Sequence, residues 1–315
     1  MKNYLPFLSK LLSVNMCEWQ IAIRKVTSDG MLYEGNLSEF TLIPNSQRYW
    51  YADPFLFAYK DKEYVFVEMY DRKLKKGNIG YAEIRRGRKL KFKKCLELPY
   101  HLSYPCIYEQ DGNIYMIPEC YQSGRIVRYK CVRFPDKWIE DITILNKIAV
   151  DTTPYEINGN IGYFSTFFES MNNQVNNNLF LIDRGSIQCL KKSDYTARSA
   201  GLVFTRNNKT IRPHQDCEGG YGRRLIFSQI DVLTNEEYKE SEIYCVSAPD
   251  DVDNSINRIK IKNRGNHKYK GVHTYNASDK YEVIDLKYYD GRSVYDFIRN
   301  LKNYLKYKLK SNANQ

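Results

Sequence analysis

Histidine and tryptophan are scarce in this chain, with four and three copies among 315 residues, and its cysteines never occur as a C-x-x-C pair. No Cys/His spacing suits a structural zinc, so no metal staple is expected. The eight cysteines (Cys17, Cys95, Cys106, Cys120, Cys131, Cys189, Cys217 and Cys245) stand singly. They read as small buried hydrophobes of a reducing compartment. Long apolar runs are missing too: the stretch over 4–14 is broken by Lys10 and lacks a small-residue cleavage site. That argues against a secretory signal and excludes a membrane span, and the expected location is the cytoplasm. A phosphate-cradling glycine loop is also absent, because EGGYGRR from Glu218 has irregular glycine spacing. No cofactor is expected.

What is present is a globular composition, 43% hydrophobic and 14% aromatic, which excludes a disordered or collagenous chain. The length suits one large or two ordinary domains. Forty-eight Lys and Arg against 37 Asp and Glu leave a net charge of +11, the balance of a protein that meets polyanions. No zinc finger, RNP-type aromatic motif or basic zipper accompanies it, so nucleic acid is not the expected partner. The alternatives are an anionic substrate such as a sugar nucleotide, or an anionic membrane surface.

An internal repeat organises the rest. DPFLFAYKDKEYVFVE from Asp53 and YPCIYEQDGNIYMIPE from Tyr104 both run proline, alternating apolar residues, a polar turn, a second apolar run and glutamate, with Pro54 to Glu68 and Pro105 to Glu119 each spanning 14 positions. Further units start at Thr153 (turn at Asn158 and Gly159), Ala200 (turn at Asn207 and Asn208) and Gly271, the last ending in Asp285. Taking Pro54, Pro105, Pro154, Gly201 and Val272 as equivalent, the steps are 51, 49, 47 and 71 residues. Each unit holds two period-2 strands about a Gly, Asn or Asp turn, and more strand-like runs follow. Four short strands in such a period are a propeller blade, so the chain is predicted to be all-β, a five-bladed β-propeller over residues 19–290. A β-sandwich is the competing reading.

In a propeller the first strand of each blade lines the axis, so residues far apart in sequence meet in one funnel. The repeat openings bring Asp53, Tyr104, Asp151 and the pair Arg198 and Ser199, with His273 in the fifth. A purely structural axis avoids such unpaired charge. The second-strand ends add Glu68, Glu119 and the run Arg212, His214, Gln215 and Asp216, with His101 just before the second repeat. Carboxylates beside arginines and histidine suit glycosyl transfer: one carboxylate stabilises or attacks the anomeric carbon or activates an acceptor, an acid assists the leaving group, and arginines hold a phosphate. Tyr104 is placed to stack on a sugar ring. Each residue also has a plainer reading: Asp53 as a turn cap before proline, Glu68 and Glu119 as ion pairs repeated by symmetry, Arg198 and Arg212 as blade-bridging partners, the histidines as satisfied core residues.

The ordered set ADPFLF, YVFVE, KGNIG, HLSYP, IYMIPE, FPDKW, RSAG, RPHQDC and GVHT resembles the N-terminal propeller domain of the plant glucosamine inositolphosphorylceramide transferases, similar to stand-alone domains of bacterial surface-polysaccharide gene clusters. It covers residues 19–285. The resemblance implies a five-bladed propeller related to furanosidase-like glycosidases and to propeller phosphorylases and mannosyltransferases. It implies Asp53 as nucleophile or base and a glutamate on a later blade as acid, for which Glu119 is the nearest candidate. The funnel residues themselves add Asp216 as the alternative partner and Glu68, His101, Tyr104, Asp151, Arg198, Arg212, His214, Gln215 and His273 around the substrate. The plant enzymes carry a separate transferase domain. The expected activity is transfer from an activated donor, nucleotide- or lipid-phosphate-linked, to a glycan or glycolipid acceptor in cell-surface polysaccharide or glycolipid assembly. Hydrolysis by the same carboxylates, or glycan binding without catalysis, are the alternatives.

Asp251-Val252-Asp253 has the D-x-D form of metal-dependent transferases, but its polar surroundings read as a solvated loop. Residues 291–315 form a third region after the N-terminal segment 1–18. Val294, Phe297, Ile298, Leu301, Leu305 and Leu309 recur at three- and four-residue steps with Lys302, Lys306 and Lys310 opposite, predicting a basic amphipathic helix over 293–310 that packs on the propeller or lies on anionic lipid.

Overall fold

The computed structural model describes residues 17–157, 159–167, 178–192, 195–234 and 236–289. Residues 1–16 of the N-terminal segment, Asn158 and the helix expected over 293–310 lie outside these, while Cys17 and Glu18 belong to the strand Cys17–Lys25. No helix among the described residues is long and apolar enough to cross a membrane.

Alternating apolar residues and left-handed two-residue turns build the hairpins. Lys60-Asp61, Asp111-Gly112, Arg184-Gly185 and Asn207-Asn208 all have positive φ, the turn geometry whose twist matches that of the strands it joins. Blade 1 comprises Tyr49–Tyr59, Lys62–Asp71, Lys76–Ile84 and Lys93–Leu96; blade 2 comprises Ser103–Gln110, Asn113–Glu119, Ile126–Arg133 and Lys137–Leu145. Blade 3 comprises Ala149–Ile157, Asn160–Phe167, Leu179–Asp183 and Ser186–Lys191. Blade 4 runs outward from Phe204–Arg206 through Lys209–Asp216, Arg224–Leu233 and Tyr238–Ser247 to a short parallel Asn257–Arg258.

Blade 5 joins the two ends of the propeller. Its inner strand is split into Tyr269–Gly271 and Tyr275–Ala277, both paired with Tyr281–Tyr289. Cys17–Lys25 then pairs antiparallel along the whole of Tyr281–Tyr289, and Phe40–Leu42 follows. The ring is thereby closed by hydrogen bonds between chain segments more than 250 residues apart.

Each of the five clefts between adjacent blades holds its own apolar cluster. Phe55, Phe66, Ile107 and Met116 fill the first, Ile117, Ile126, Tyr163 and Ile182 the second, and Phe164, Leu179 and the partly buried Leu233 the third. Phe40, Phe227, Tyr275 and Ile284 lie between blades 4 and 5, and Ile21, Val65, Val67 and Val283 between blades 5 and 1. At about 1.5–3 kcal/mol for each large side chain fully buried, these clusters hold the blades face to face around the ring. The sandwich alternative has no place for five such clefts.

The inner strands of blades 1, 2 and 3 share a β-bulge at one height. Pairing is interrupted between Ala52 and Phe55, Ser103 and Cys106, and Val150 and Thr153, and the residue inside each bulge, Asp53, Tyr104 or Asp151, has φ of 47°, 43° or 50°. The residue equivalent to Pro54 and Pro105 is therefore Thr152, a correction to the repeat alignment that used Pro154. A bulge turns the local side chain and backbone N–H out of the ladder, here toward the axis.

Candidate active site

The bulges carry polar groups from blade to blade around the axis. The Asp53 amide donates to Asp285 Oδ2 at 2.9 Å, and Asp53 Oδ2 accepts from the Tyr104 amide at 2.9 Å. Tyr104 Oη meets Thr153 Oγ1 at 2.8 Å and accepts from the Gly201 amide at 2.9 Å. The Tyr275 amide donates to Ala200 O at 2.7 Å, which joins blades 4 and 5.

Asp53 lies at the centre. The Thr274 hydroxyl donates to its Oδ1 at 2.9 Å, and His273 Nε2 stands 3.4 Å from the same oxygen. Burial pushes its carboxyl up to about 6, with His273 opposing that rise and the Asp285 and Asp151 carboxylates adding to it. Asp285, fully buried, is the anchor beneath: it accepts from His273 Nδ1 at 2.8 Å and from the His273 and Thr274 amides at 3.2 and 3.0 Å. His273 is pulled down by burial, but the Asp285 and Asp53 carboxylates outweigh this and hold it above its ordinary value. Trp19 stacks on the imidazole at 3.8 Å between ring centroids, and Tyr221 meets it edge-on at 5.2 Å. Gly222, at φ +63°, makes room for this stack, since a Cβ there would lie 2.7 Å from Trp19 and 2.9 Å from His273.

A second group flanks Asp53. Arg198 pairs with Asp151 through Nε, lies 3.5 Å from Glu119 Oε2 through Nη2, and covers the Tyr221 ring at 4.7 Å. Gln215 Nε2 also donates to Asp151, at 3.1 Å. Burial and the Asp151 charge raise the Glu119 carboxyl well above its ordinary range against the pull of Arg198, and burial with the Asp53 and Glu119 charges does the same to Glu68. Glu68 Oε1 faces His101 Nε2 at 3.3 Å, while His101 Nδ1 accepts from the Gly77 amide at 3.1 Å. Burial lowers His101 to about 4, so at neutral pH its ring is uncharged with the proton on Nε2, and Glu68 Oε1 stands near it without a formed hydrogen bond. Glu68 and Glu119 thus occupy equivalent strand positions with different partners, not a repeated ion pair.

The funnel of this basic protein is itself acidic. Asp53, Glu68, Glu119, Asp151 and Asp285 face one guanidinium, of Arg198, and two imidazoles, of His273 and His101, and repulsion with desolvation raises the Asp53, Glu68 and Glu119 carboxyls above their usual range. Asp53, His273 and Asp285 could each offer a ligand atom within 4.8 Å of one another. His273 Nδ1 and both Asp285 oxygens are already engaged in hydrogen bonds, so the trio holds Asp53 in position and does not form an open metal cage.

Other residues expected at the site have internal partners. Arg212, fully buried, makes a bidentate pair with Glu240 at 2.8 and 2.9 Å and bonds Ala197 O. His214 is bonded at Nδ1 to Thr196 O and at Nε2 to Ser228. Asp216 caps the Glu218 amide and pairs with Arg224 at 3.5 Å. Tyr104 is buried, its hydroxyl spent between blades, so its ring packs on Phe55 at 4.8 Å and is not offered to a sugar. His214 and Tyr104 are thus satisfied core residues, whereas Arg212 pairs within blade 4 and does not bridge two blades. Asp251 corrects another expectation: it is 6% exposed and paired with Arg223 and Arg224, although Val252 beside it is 82% exposed. The D-x-D segment is an ion-pair knot, not a solvated loop.

Asp285, Thr274, Trp19 and Tyr221 were not singled out from the sequence as site residues. Asp285 had a signal, because it closes the second strand of the fifth repeat as Glu68 and Glu119 close theirs.

Residues 42–268 match the family described as glucosamine inositolphosphorylceramide transferase 1, N-terminal. The glucosamine inositolphosphorylceramide transferase 1 of Arabidopsis thaliana is 33% identical over 205 residues, 61% of this chain and 27% of that protein. Its counterpart in Oryza sativa subsp. indica is 30% identical over 202 residues, 60% of this chain and 27% of that protein. The chain thus spans about a quarter of the length of these relatives. Among solved structures, the catalytic domain of the Coprinopsis cinerea GH62 α-L-arabinofuranosidase shares the fold, with a TM-score of 0.50 and 10% identity over 77% of this chain and 93% of that one.

Proposed function

The chain belongs to the glucosamine inositolphosphorylceramide transferase 1 N-terminal family, and from that premise we propose that its axial funnel transfers a glycosyl group from a phosphate-linked donor to a glycan or glycolipid acceptor. The observation that carries this reading is the division of the funnel carboxyls by environment. Asp53, near 6, accepts hydrogen bonds from Tyr104 and Thr274, whereas burial and the Asp151 charge push the Glu119 carboxyl well above its ordinary range. Two carboxyls pushed apart in this way supply a base or nucleophile and an acid in one site.

In the proposed reaction Asp53 stabilises or attacks the anomeric carbon as it becomes cationic, or takes the proton of the acceptor hydroxyl. Glu119 donates to the departing oxygen, and Arg198 holds Asp151 and Glu119 in place. His273, fixed by Asp285 and Trp19, sets the orientation and charge of Asp53. A donor phosphate has cations nearby, because a cleft of about 190 Å³ lined by Tyr221, Arg223, Lys270 and Lys287 adjoins the funnel at Tyr221. The reading places the reaction in the cytoplasm, where eight free thiols are maintained, with a lipid-linked acceptor met at an anionic membrane.

The test is release of the phosphate-bearing leaving group from a panel of sugar nucleotides, with and without glycan or glycolipid acceptors. Asp53→Asn should lower turnover by about 10²–10⁴-fold, and Glu119→Gln should affect poor leaving groups most. Wild-type turnover by folded Asp53→Asn overturns the assignment. Cleavage of aryl furanosides without an acceptor would identify the funnel as hydrolytic, since the same carboxyls can act on water.

A further inference from the structure

Away from the funnel, the outer edge of blade 1 concentrates positive charge. Seven of the ten residues 85–94, between its third and fourth strands and into the fourth, are Lys or Arg. Arg85 pairs with Glu83 and Lys94 with Glu97. Arg86, Arg88, Lys89, Lys91 and Lys93 form no ion pair among the described residues, and all five are exposed. Five uncompensated cations on one short segment repel one another, a local disadvantage that a bound anion removes.

These cations border a hollow. A cavity of about 590 Å³ opens between the outer part of blade 1 and the Pro135 turn of blade 2, with Tyr64 and Tyr81 among its walls and Arg88, Lys89, Lys91 and Lys93 at its edge. The pairing explains the arrangement: Lys93 stands opposite Tyr81 in the sheet, so both side chains project from the same face. Phe134 packs edge-on against Tyr64 at 4.9 Å and holds that wall upright.

We infer that this cavity binds an acidic saccharide, a sugar chain bearing phosphate, sulfate or carboxylate groups. Tyrosine walls offer apolar faces for sugar rings, and the surrounding lysines and arginines meet the anionic substituents. A bilayer fits less well. The two apolar residues of the segment, Leu90 and Phe92, turn inward to the cluster between blades 5 and 1, where Phe92 lies 4.3 Å from Tyr51, leaving no apolar anchor to insert into lipid. The inference concerns a different part of the molecule from the funnel and does not depend on the proposed transfer.

The experiment measures binding of a sulfated dextran oligosaccharide to the full chain, beside neutral dextran, phosphatidylglycerol vesicles and a single-stranded DNA oligomer. Sulfated dextran should bind, more weakly as salt is added, and neutral dextran should not. The triple variant R88A/K91A/K93A should lose about tenfold or more in affinity, with unchanged melting because these side chains are exposed and unpaired. K25A/K209A/K260A, which removes the same charge from elsewhere on the surface, should bind as wild type does. Asp53→Asn should also bind unchanged, separating this site from the funnel. Equal losses in the two triple variants would overturn the inference in favour of diffuse charge attraction. Tighter binding of vesicles or DNA than of the sulfated saccharide, through the same three residues, would overturn it in favour of that partner.

Discussion

Replacing Asp53 with asparagine should make the protein more stable at neutral pH while removing the proposed transfer activity. In the folded chain burial holds this carboxyl at about 6 against an ordinary 3.8, so ionising it within the fold opposes folding by about 3 kcal/mol above pH 7. Asparagine carries no charge to desolvate. Its carbonyl can still accept from Thr274, but its NH2 group cannot accept from the Tyr104 amide, which costs about 1–2 kcal/mol. The net expectation is a gain of about 1–2 kcal/mol at pH 7.5. The sign follows from linkage. A carboxyl whose folded value is raised contributes most below its unfolded value, near 4, and wild type loses that contribution as pH rises through about 6. The variant has no such loss, so it should be the less stable protein at pH 4 and the more stable one at pH 7.5. Urea denaturation of both proteins across this range measures the difference. A gap that does not change with pH would refute the reasoning, because Asp53 would then be as solvated in the native state as in the unfolded chain.

Asp285→Asn removes the charge and one of the two acceptor oxygens beneath the site, and the loss of a buried, hydrogen-bonded charge should reduce stability by about 3–5 kcal/mol. It should also drop the His273 titration below that of wild type, a shift that imidazole NMR can follow because the chain has only four histidines. Arg212→Met should destabilise the fold by a similar amount, about 3–5 kcal/mol by urea denaturation. Arg212 holds Glu240 well below the carboxylate range against the pull of burial, so the wild-type advantage should be present above about pH 4.5 and fall away under more acid conditions. Gly222→Ala forces a left-handed backbone on alanine and a clash with Trp19 and His273; an increase in tryptophan accessibility to a fluorescence quencher and a loss of about 1–3 kcal/mol are expected. Quenching and stability equal to wild type would show that the stack does not depend on this glycine.

Hairpins were readable because they are local: alternation of period two and turn residues such as Asn207-Asn208 lie within a few positions of one another. Repetition then brought Asp53, Asp151, Glu68 and Glu119 to one end of their blades, and these four do meet at the axis. The run over 212–216 shows where such reading stops. Successive side chains of a strand point to opposite faces, so Gln215 reaches Asp151 while Arg212 and His214 turn into blade 4, toward Glu240 and Ser228. Composition cannot tell one parity from the other.

Sequence by itself determined the number of blades, the height of the acidic groups on them, and the family to which the chain belongs, since each follows from short local patterns and their order along the chain. Tertiary structure alone decided which charges became partners. Asp53 acquires its raised carboxyl from burial and from the Asp285 and Asp151 charges, against the opposing pull of His273, and Trp19 covers His273 because Cys17–Lys25 closes blade 5 against Tyr281–Tyr289. Desolvation and Coulomb interactions depend on distances through space, and those exist only once the ring is shut.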